Sequence, residues 1–138
     1  MFLRMRLRQI LAVASILLLS IIAAQAQQDR LAHANGDGRL KVGNEQFKVS
    51  AVNVKLLDDR KAEIILIADI TIFLSGTWSQ SAESQEDFDI QITGGASPGG
   101  LEGGGKLTLG KDTKDMRLTL KGKSTTTKKI VEVYFVGK

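Results

Sequence analysis

The chain has 138 residues, with no cysteine, a single histidine and a single proline. The lack of cysteine excludes a disulfide scaffold, a thiolate zinc site and a cysteine nucleophile. His33, the one histidine, cannot by itself build a histidine-based triad or a metal site with several histidine ligands. No other catalytic or cofactor motif occurs in the chain. The sequence therefore predicts a non-enzymatic protein with no cofactor and no metal centre.

Long apolar runs are also scarce, and the only one lies near the amino terminus, from Ile10 to Ile22. Arg4, Arg6 and Arg8 precede it, and an A-x-A site ending at Ala26 follows it. This order is typical of a cleavable secretory signal peptide, since a bilayer span needs about 20 apolar residues. The alternative is an uncleaved anchor. We expect residues 1–26 to be a signal peptide and the protein to be exported, to a bacterial-type periplasm or the exterior.

Once residues 1–26 are removed, the chain has no large net charge of either sign. Cleavage after Ala26 takes away three arginines and no acid, so the formal net charge falls from +4 to +1. The sequence pI of about 9.5 thus reflects mainly the targeting segment. Without a large basic excess, a nucleic-acid partner is not expected. A protein partner and an anionic component of the cell envelope both stay open.

From residue 38 onward, apolar and polar residues alternate with a period of two, which predicts half-buried β-strands. About eight short strands with short connections, and no amphipathic helix, predict one all-β domain over residues 38–138. Its architecture is either a small antiparallel barrel or a two-sheet sandwich. A slip in the alternation between Val49 and Val52 predicts a β-bulge or a bend.

Several segments carry more specific expectations. Residues 27–37 are polar and end in turn-forming residues, so we expect a flexible leader. The run from Ile64 to Ile67 predicts a strand buried on both faces, and Ile70 is expected to point inward. Residues 94–105 are rich in glycine and predict a long flexible loop. Lysines at outward positions, such as Lys48 and Lys55, argue against an integral membrane barrel after cleavage.

Gly76, Thr77 and Trp78 form a G-x-W sequence that resembles the motif with which lipocalins close the base of an eight-stranded ligand barrel. In that family the motif stands in the first strand, whereas here it lies past the middle of the chain. Too few residues follow the motif for such a barrel, so the sequence does not place the chain among the lipocalins. We expect Gly76 and Trp78 to be structural, with the indole packed at one end of the core and its N–H bonded.

The final predicted hairpin carries the one asymmetry of charge. Period-two geometry places several cations on its outer side and around its turn; they are Arg117, Lys121, Lys123, Lys128 and Lys129. They either protect an edge strand and aid solubility, or contact an anionic surface. The sequence thus favours a binding module of the cell envelope. The alternative is a structural protein that assembles through strand edges.

Overall fold

The structure is a computed structural model that describes residues 29–96 and 101–138. The predicted signal peptide and the first two leader residues lie outside the described residues. Within them, eight strands follow one another in the chain: β1 Arg30–Val42, β2 Glu45–Leu56, β3 Lys61–Ile67, β4 Thr71–Gln80, β5 Asp87–Ala96, β6 Leu101–Thr108, β7 Arg117–Ser124 and β8 Ile130–Gly137. A short 3-10 turn, Thr113–Asp115, precedes β7.

The strands form a closed antiparallel barrel, which confirms the all-β prediction and selects the barrel over the sandwich. Each strand pairs with its neighbours in sequence, and β1 closes the sheet by pairing with β8 from Gly36↔Gly137 to Val42↔Val131. Closure satisfies backbone groups that an open sheet would leave at its edges. Within residues 29–96 and 101–138, no helix is long and apolar enough to cross a membrane.

One continuous apolar core fills the inner side of the barrel. Alternate residues of each strand face inward, as the period of two predicts. Phe135, Leu118, Ile64 and Leu66 are fully buried and come from β8, β7 and β3. Because all strands contribute to the same core, the two sides of the barrel depend on each other for stability.

The expected leader is wrong for residues 30–37, which lie in the 13-residue strand β1. Ala32 and Ala34 pair with Val54 and Val52 of β2. The turn-forming residues do not reverse the chain, because the register of β1 against β2 shifts between Asn35 and Gly38 and absorbs them as a bulge. The extra residue lies in β1, opposite Val49–Ala51 of β2, so the bulge adjoins the predicted slip but belongs to the partner strand.

The expected long glycine loop is also wrong. Strand β5 continues to Ala96 and β6 begins at Leu101, so most of the glycines lie in paired strands. At Gly105 a Cβ atom would stand 1.8 Å from the backbone oxygen of Thr119. Glycine there lets β6 and β7 approach closely, which composition alone does not distinguish from flexibility.

Two expectations about apolar residues need correction. Ile70 is 50% exposed because it lies in the tight connection between β3 and β4 and not in a strand. In β3, Ile64 and Leu66 are buried, but Ile65 and Ile67 are only half-buried. Among the described residues nothing packs outside the barrel wall, so the outward isoleucines of β3 keep contact with solvent.

Trp78 lies near one end of β4, packed against the core although not fully buried. Its Nε1 donates to the Leu57 carbonyl oxygen at 2.8 Å, and its ring meets Phe88 edge-on with centroids 5.7 Å apart. The Arg60 guanidinium lies over the indole, 4.6 Å from its centroid. Gly76 is buried in the same strand, where the β4–β5 register shifts. Both residues thus take part in the barrel wall.

Candidate functional site

The structure divides the five cations of the predicted basic hairpin into two groups. Arg117, Lys121 and Lys123 alternate along β7 and are exposed on the outside of the barrel. Lys128 and Lys129 are exposed in the turn between β7 and β8, where Lys128 has a φ of 62°. Only the β7 group belongs to a larger basic surface.

That surface is centred on Tyr134 of β8 and extends over five adjoining strands. Cross-strand partners form an outward row across β2, β1, β8, β7 and β6: Lys48, Arg39, Tyr134, Thr119 and Lys106. With neighbouring strands about 4.8 Å apart, the row is about 19 Å long. It contains three cations and no acid, and it ends where Lys106 faces the exposed Asp89 of β5, its cross-strand partner on the other side. We call this row, with its exposed neighbours Lys41, Arg117, Lys121, Lys123 and Glu132, the Tyr134 face.

Two cations of the row stand directly opposite each other. Lys48 and Arg39 are register partners on antiparallel β2 and β1, and both are exposed. Like charges at such positions destabilise a sheet. Within the described part of the chain, no ion pair involves either of them or Lys106. The sheet therefore carries a local repulsion that folding does not require.

Acidic side chains border the row without neutralising it. Glu132 Oε1 lies 3.8 Å from the Nζ of Lys121, one row further along β8. Asp37 Oδ2 accepts from Lys138 Nζ at 2.6 Å. The hydrogen bond from Lys138 holds the pKa of the Asp37 carboxyl below its ordinary value, with Lys48 adding a weaker attraction. Each of these acids thus already has a cationic partner outside the row.

Tyr134 gives the face an apolar and hydrogen-bonding centre. Its side chain is 57% exposed. An open depression lies on either side of it: one is lined by Asp37, Arg39, Gln46 and Lys48, and the other includes Lys41, Thr119, Lys121 and Glu132. An exposed tyrosine offers a flat ring for stacking and a hydroxyl for hydrogen bonding, and cations surround it here. This combination suits a ligand with negative groups and a planar or ring-shaped surface.

The sequence predicted the β7 side of this face and missed the rest. Arg39, Lys41 and Lys48 lie far from β7 in the chain, and they join it only through the pairing of β1 with β8. The period of two does place each of them on the outside of its own strand. Which strands become neighbours depends on closure, which no local pattern specifies.

The described residues contain no cluster of metal-binding side chains. Across residues 29–96 and 101–138, no group of three or more His, Cys, Asp or Glu side chains is placed to hold a metal ion. Asp87 Oδ1 accepts a hydrogen bond from Thr108 Oγ1 at 2.7 Å between β5 and β6, a pairing that fits a structural role. The Tyr134 face is therefore the strongest candidate for function.

Comparison with known proteins assigns no function to this surface. No family model matches the chain, and no curated protein or solved structure is significantly similar to it. The function therefore has to be inferred from the barrel's own surfaces.

Proposed function

We propose that the protein is an exported, non-enzymatic binding module of the cell envelope, and that its Tyr134 face holds an anionic polymer. The observation that carries this proposal is the Lys48–Arg39 pair beside the exposed Tyr134. A repulsive pair costs stability unless a bound anion neutralises it. Real proteins break such rules of sheet design mainly at functional sites.

The shape of the row favours a linear ligand. Its three cations are spread over about 19 Å, with Tyr134 between Arg39 and Thr119. A chain of acidic sugars would place successive carboxylates or phosphates on the cations while one sugar ring lies against the tyrosine. A small anion would engage only one or two of these charges. Binding should weaken with salt, because exposed charges are screened over about 8 Å at physiological ionic strength.

The alternative of a strand-edge assembly protein loses its main support. Every described strand has a hydrogen-bonded neighbour on both sides, since β1 pairs with β8. Closure of this kind leaves only the overhanging ends of strands, such as the start of β1 and residues 45–50 of β2, with a ladder partner on one side.

Export is part of the proposal and has its own test. The apolar run from Ile10 to Ile22 before the A-x-A site supports cleavage after Ala26. The intact mass of the protein recovered from the envelope should match a chain that begins at Gln27. A full-length protein retained in the inner membrane would contradict export as a free module.

The binding test reverses three charges of the row and its neighbour. Arg39→Glu, Lys48→Glu and Lys121→Glu in one variant should weaken binding to an acidic polysaccharide such as polygalacturonate by at least tenfold. That factor corresponds to about 1.4 kcal/mol, a modest loss for three reversed charges. Tyr134→Ala should also weaken binding. At high salt, where the attraction between charges is screened, this variant should still bind the polymer less tightly than the parent protein. Isothermal calorimetry at two salt concentrations measures both effects.

A matched control carries the same change of charge on other surfaces. Lys61, Lys111 and Lys114 are exposed and lie outside the Tyr134 face, so their reversal to Glu together should leave binding near the parent value. Two other ligands are tested in the same way. One is a vesicle that contains phosphatidylglycerol, and the other is a duplex oligonucleotide. Stronger binding to vesicles would assign the face to lipid head groups, and equal loss in the control variant would refute a defined site.

A further inference from the structure

A second outer surface differs from the Tyr134 face and is not used by the proposed function. It covers the outside of β1 to β4, and we call it the Phe73 face. Its members are Leu31, His33, Asn53, Lys55, Glu63, Ile65 and Phe73. Leu31 is 70% exposed and Phe73 is 51% exposed, while Ile65 between them is half-buried. Ile65 and Phe73 are direct cross-strand neighbours, whereas Leu31 pairs with Lys55 and is separated from them by polar residues.

Two apolar residues of this face, Ile65 and Phe73, are cross-strand partners, and Ile65 and Leu31 border a depression. Phe73 pairs with Ile65, which pairs with Asn53, and Asn53 pairs with His33. A depression of about 400 Å³ lies beside this row, lined by Leu31, Ile65 and their polar neighbours. His33 Nδ1 and Asn53 Oδ1 are hydrogen-bonded to each other, so these polar groups already satisfy part of their bonding. The face combines projecting apolar side chains with a recess close by.

The charges of this face are balanced. Lys55 and Glu63 are direct cross-strand partners and both are exposed. Yet no ion pair joins them among the described residues. Both side chains therefore remain available to a partner surface. The face thus carries one positive and one negative charge side by side. In a second copy rotated about a two-fold axis, the negative charge can lie opposite the positive charge of the first copy, and the positive charge opposite the negative one.

We propose that the Phe73 face is the contact surface of a symmetric homodimer. A two-fold axis lying in the interface, parallel to β2 and β3 and between them, would place Lys55 of one copy over Glu63 of the other, and the reverse. The same rotation would place Phe73 over the His33–Asn53 pair of the second copy. Such a contact is isologous, which is the commonest form of protein dimer. It joins two sheets face to face and leaves the Tyr134 face open on each copy.

Other occupants fit this surface less well. An anionic polymer or lipid surface would meet Glu63 as well as Lys55 and gain no net attraction. A membrane interior would have to accept both charges without a partner, which is costly. A second copy supplies the opposite charge for each ion, and it places Phe73 against the His33–Asn53 pair. Every copy of the chain carries both Lys55 and Glu63, so a second copy always has the opposite charge for each.

Charge exchange tests the pairing directly. Sedimentation velocity across a concentration series should show the parent protein dimerising. Lys55→Glu alone and Glu63→Lys alone should each weaken the dimer by at least tenfold, because like charges then face each other. Mixing these two variants should restore a dimer, since both acids of the first variant then face the two lysines of the second. The double variant Lys55→Glu with Glu63→Lys should dimerise like the parent.

Further variants separate this contact from folding and from the proposed function. Phe73→Thr should weaken the dimer while the circular dichroism spectrum stays unchanged. Lys111→Glu makes the same change of charge as Lys55→Glu away from both faces and should leave the dimer unaffected. A parent protein that stays monomeric at every concentration would overturn the proposal. So would single reversals that change nothing, or a double variant that fails to dimerise while folded.

Discussion

The Tyr134 face and the Phe73 face lie on the same barrel wall, yet they differ in composition. Each contains one exposed aromatic residue. Around Tyr134 the side chains are long and mostly cationic, whereas around Phe73 they combine apolar and neutral polar groups with one charge of each sign. The inner side of every strand has to fit one core, but nothing in folding demands that the outer side differ from place to place. Such differences are therefore informative about what each face contacts.

Strands β1 and β2 contribute to both faces, and an irregularity separates their contributions. Leu31 and His33 precede the register shift between Asn35 and Gly38, while Arg39 and Lys41 follow it. A bulge bends a strand and increases its local twist. It thus lets one strand present an apolar segment to one side and a basic segment to another. The residues that looked like a flexible leader form the boundary between the two surfaces.

The largest expected effect comes from the core that both faces share. Phe135 is fully buried beneath the Tyr134 face, and Leu66 is fully buried beneath the Phe73 face. Phe135→Ala and Leu66→Ala should each lower the free energy of unfolding by about 3–5 kcal/mol, from lost burial and a cavity. Urea denaturation should show a single transition for each variant. Loss of one face with the other intact would mean that the barrel is not one cooperative unit.

A smaller loss is expected where strands approach closely on each side. An added Cβ would lie 1.8 Å from the Gln91 oxygen at Gly76, and 1.8 Å from the Thr119 oxygen at Gly105. Gly76→Ala and Gly105→Ala should each cost about 1–3 kcal/mol, because backbone has to move. Gly94 is the control, since its nearest neighbour is the Ser75 Oγ at 3.2 Å. In thermal denaturation, Gly94→Ala should lower the melting temperature much less than the other two variants do.

Exchanging the exposed aromatics should separate the faces with little effect on folding. Phe73→Thr and Tyr134→Thr keep a residue that favours strands, so each should change the free energy of unfolding by less than about 1 kcal/mol. Phe73→Thr should reduce dimerisation alone, and Tyr134→Thr should reduce polymer binding alone. Equal loss of both properties in either variant would show that the two faces are not independent.

The smallest effect concerns Asp37, next to the Tyr134 face. Its folded pKa lies below the ordinary value of 3.8, chiefly because Lys138 donates a hydrogen bond to it. A lowered pKa stabilises the fold above the ordinary value, and this contribution disappears as the pH falls through the folded pKa. Asp37→Asn should therefore melt slightly below the parent near neutral pH and together with it in strong acid. A gap that widens on acidification would contradict the assignment.

Much of the fold follows from local pattern. The period of two in segments such as Met116–Lys121 identified strands and their inner sides, and the slip near Val49 indicated an irregularity whose extra residue lies in the partner strand β1. The glycines from Gly103 to Gly105 misled the prediction, because the same residue serves mobile loops and close strand pairing. Ile65 misled it because an apolar run cannot show whether a second layer covers the sheet.

By itself, the sequence determined which residues point inward in most strands, that the domain is all-β, and that the β7 cations share one side. These properties depend only on the alternation of side chains along an extended chain. The tertiary structure decided that the sheet closes through β1 and β8, because closure depends on the combined twist and stagger of all eight strands. Closure placed Lys48 and Arg39 beside Tyr134, and β3 and β4 placed Ile65 beside Phe73. Both faces exist only because residues distant in the chain become neighbours across the barrel wall.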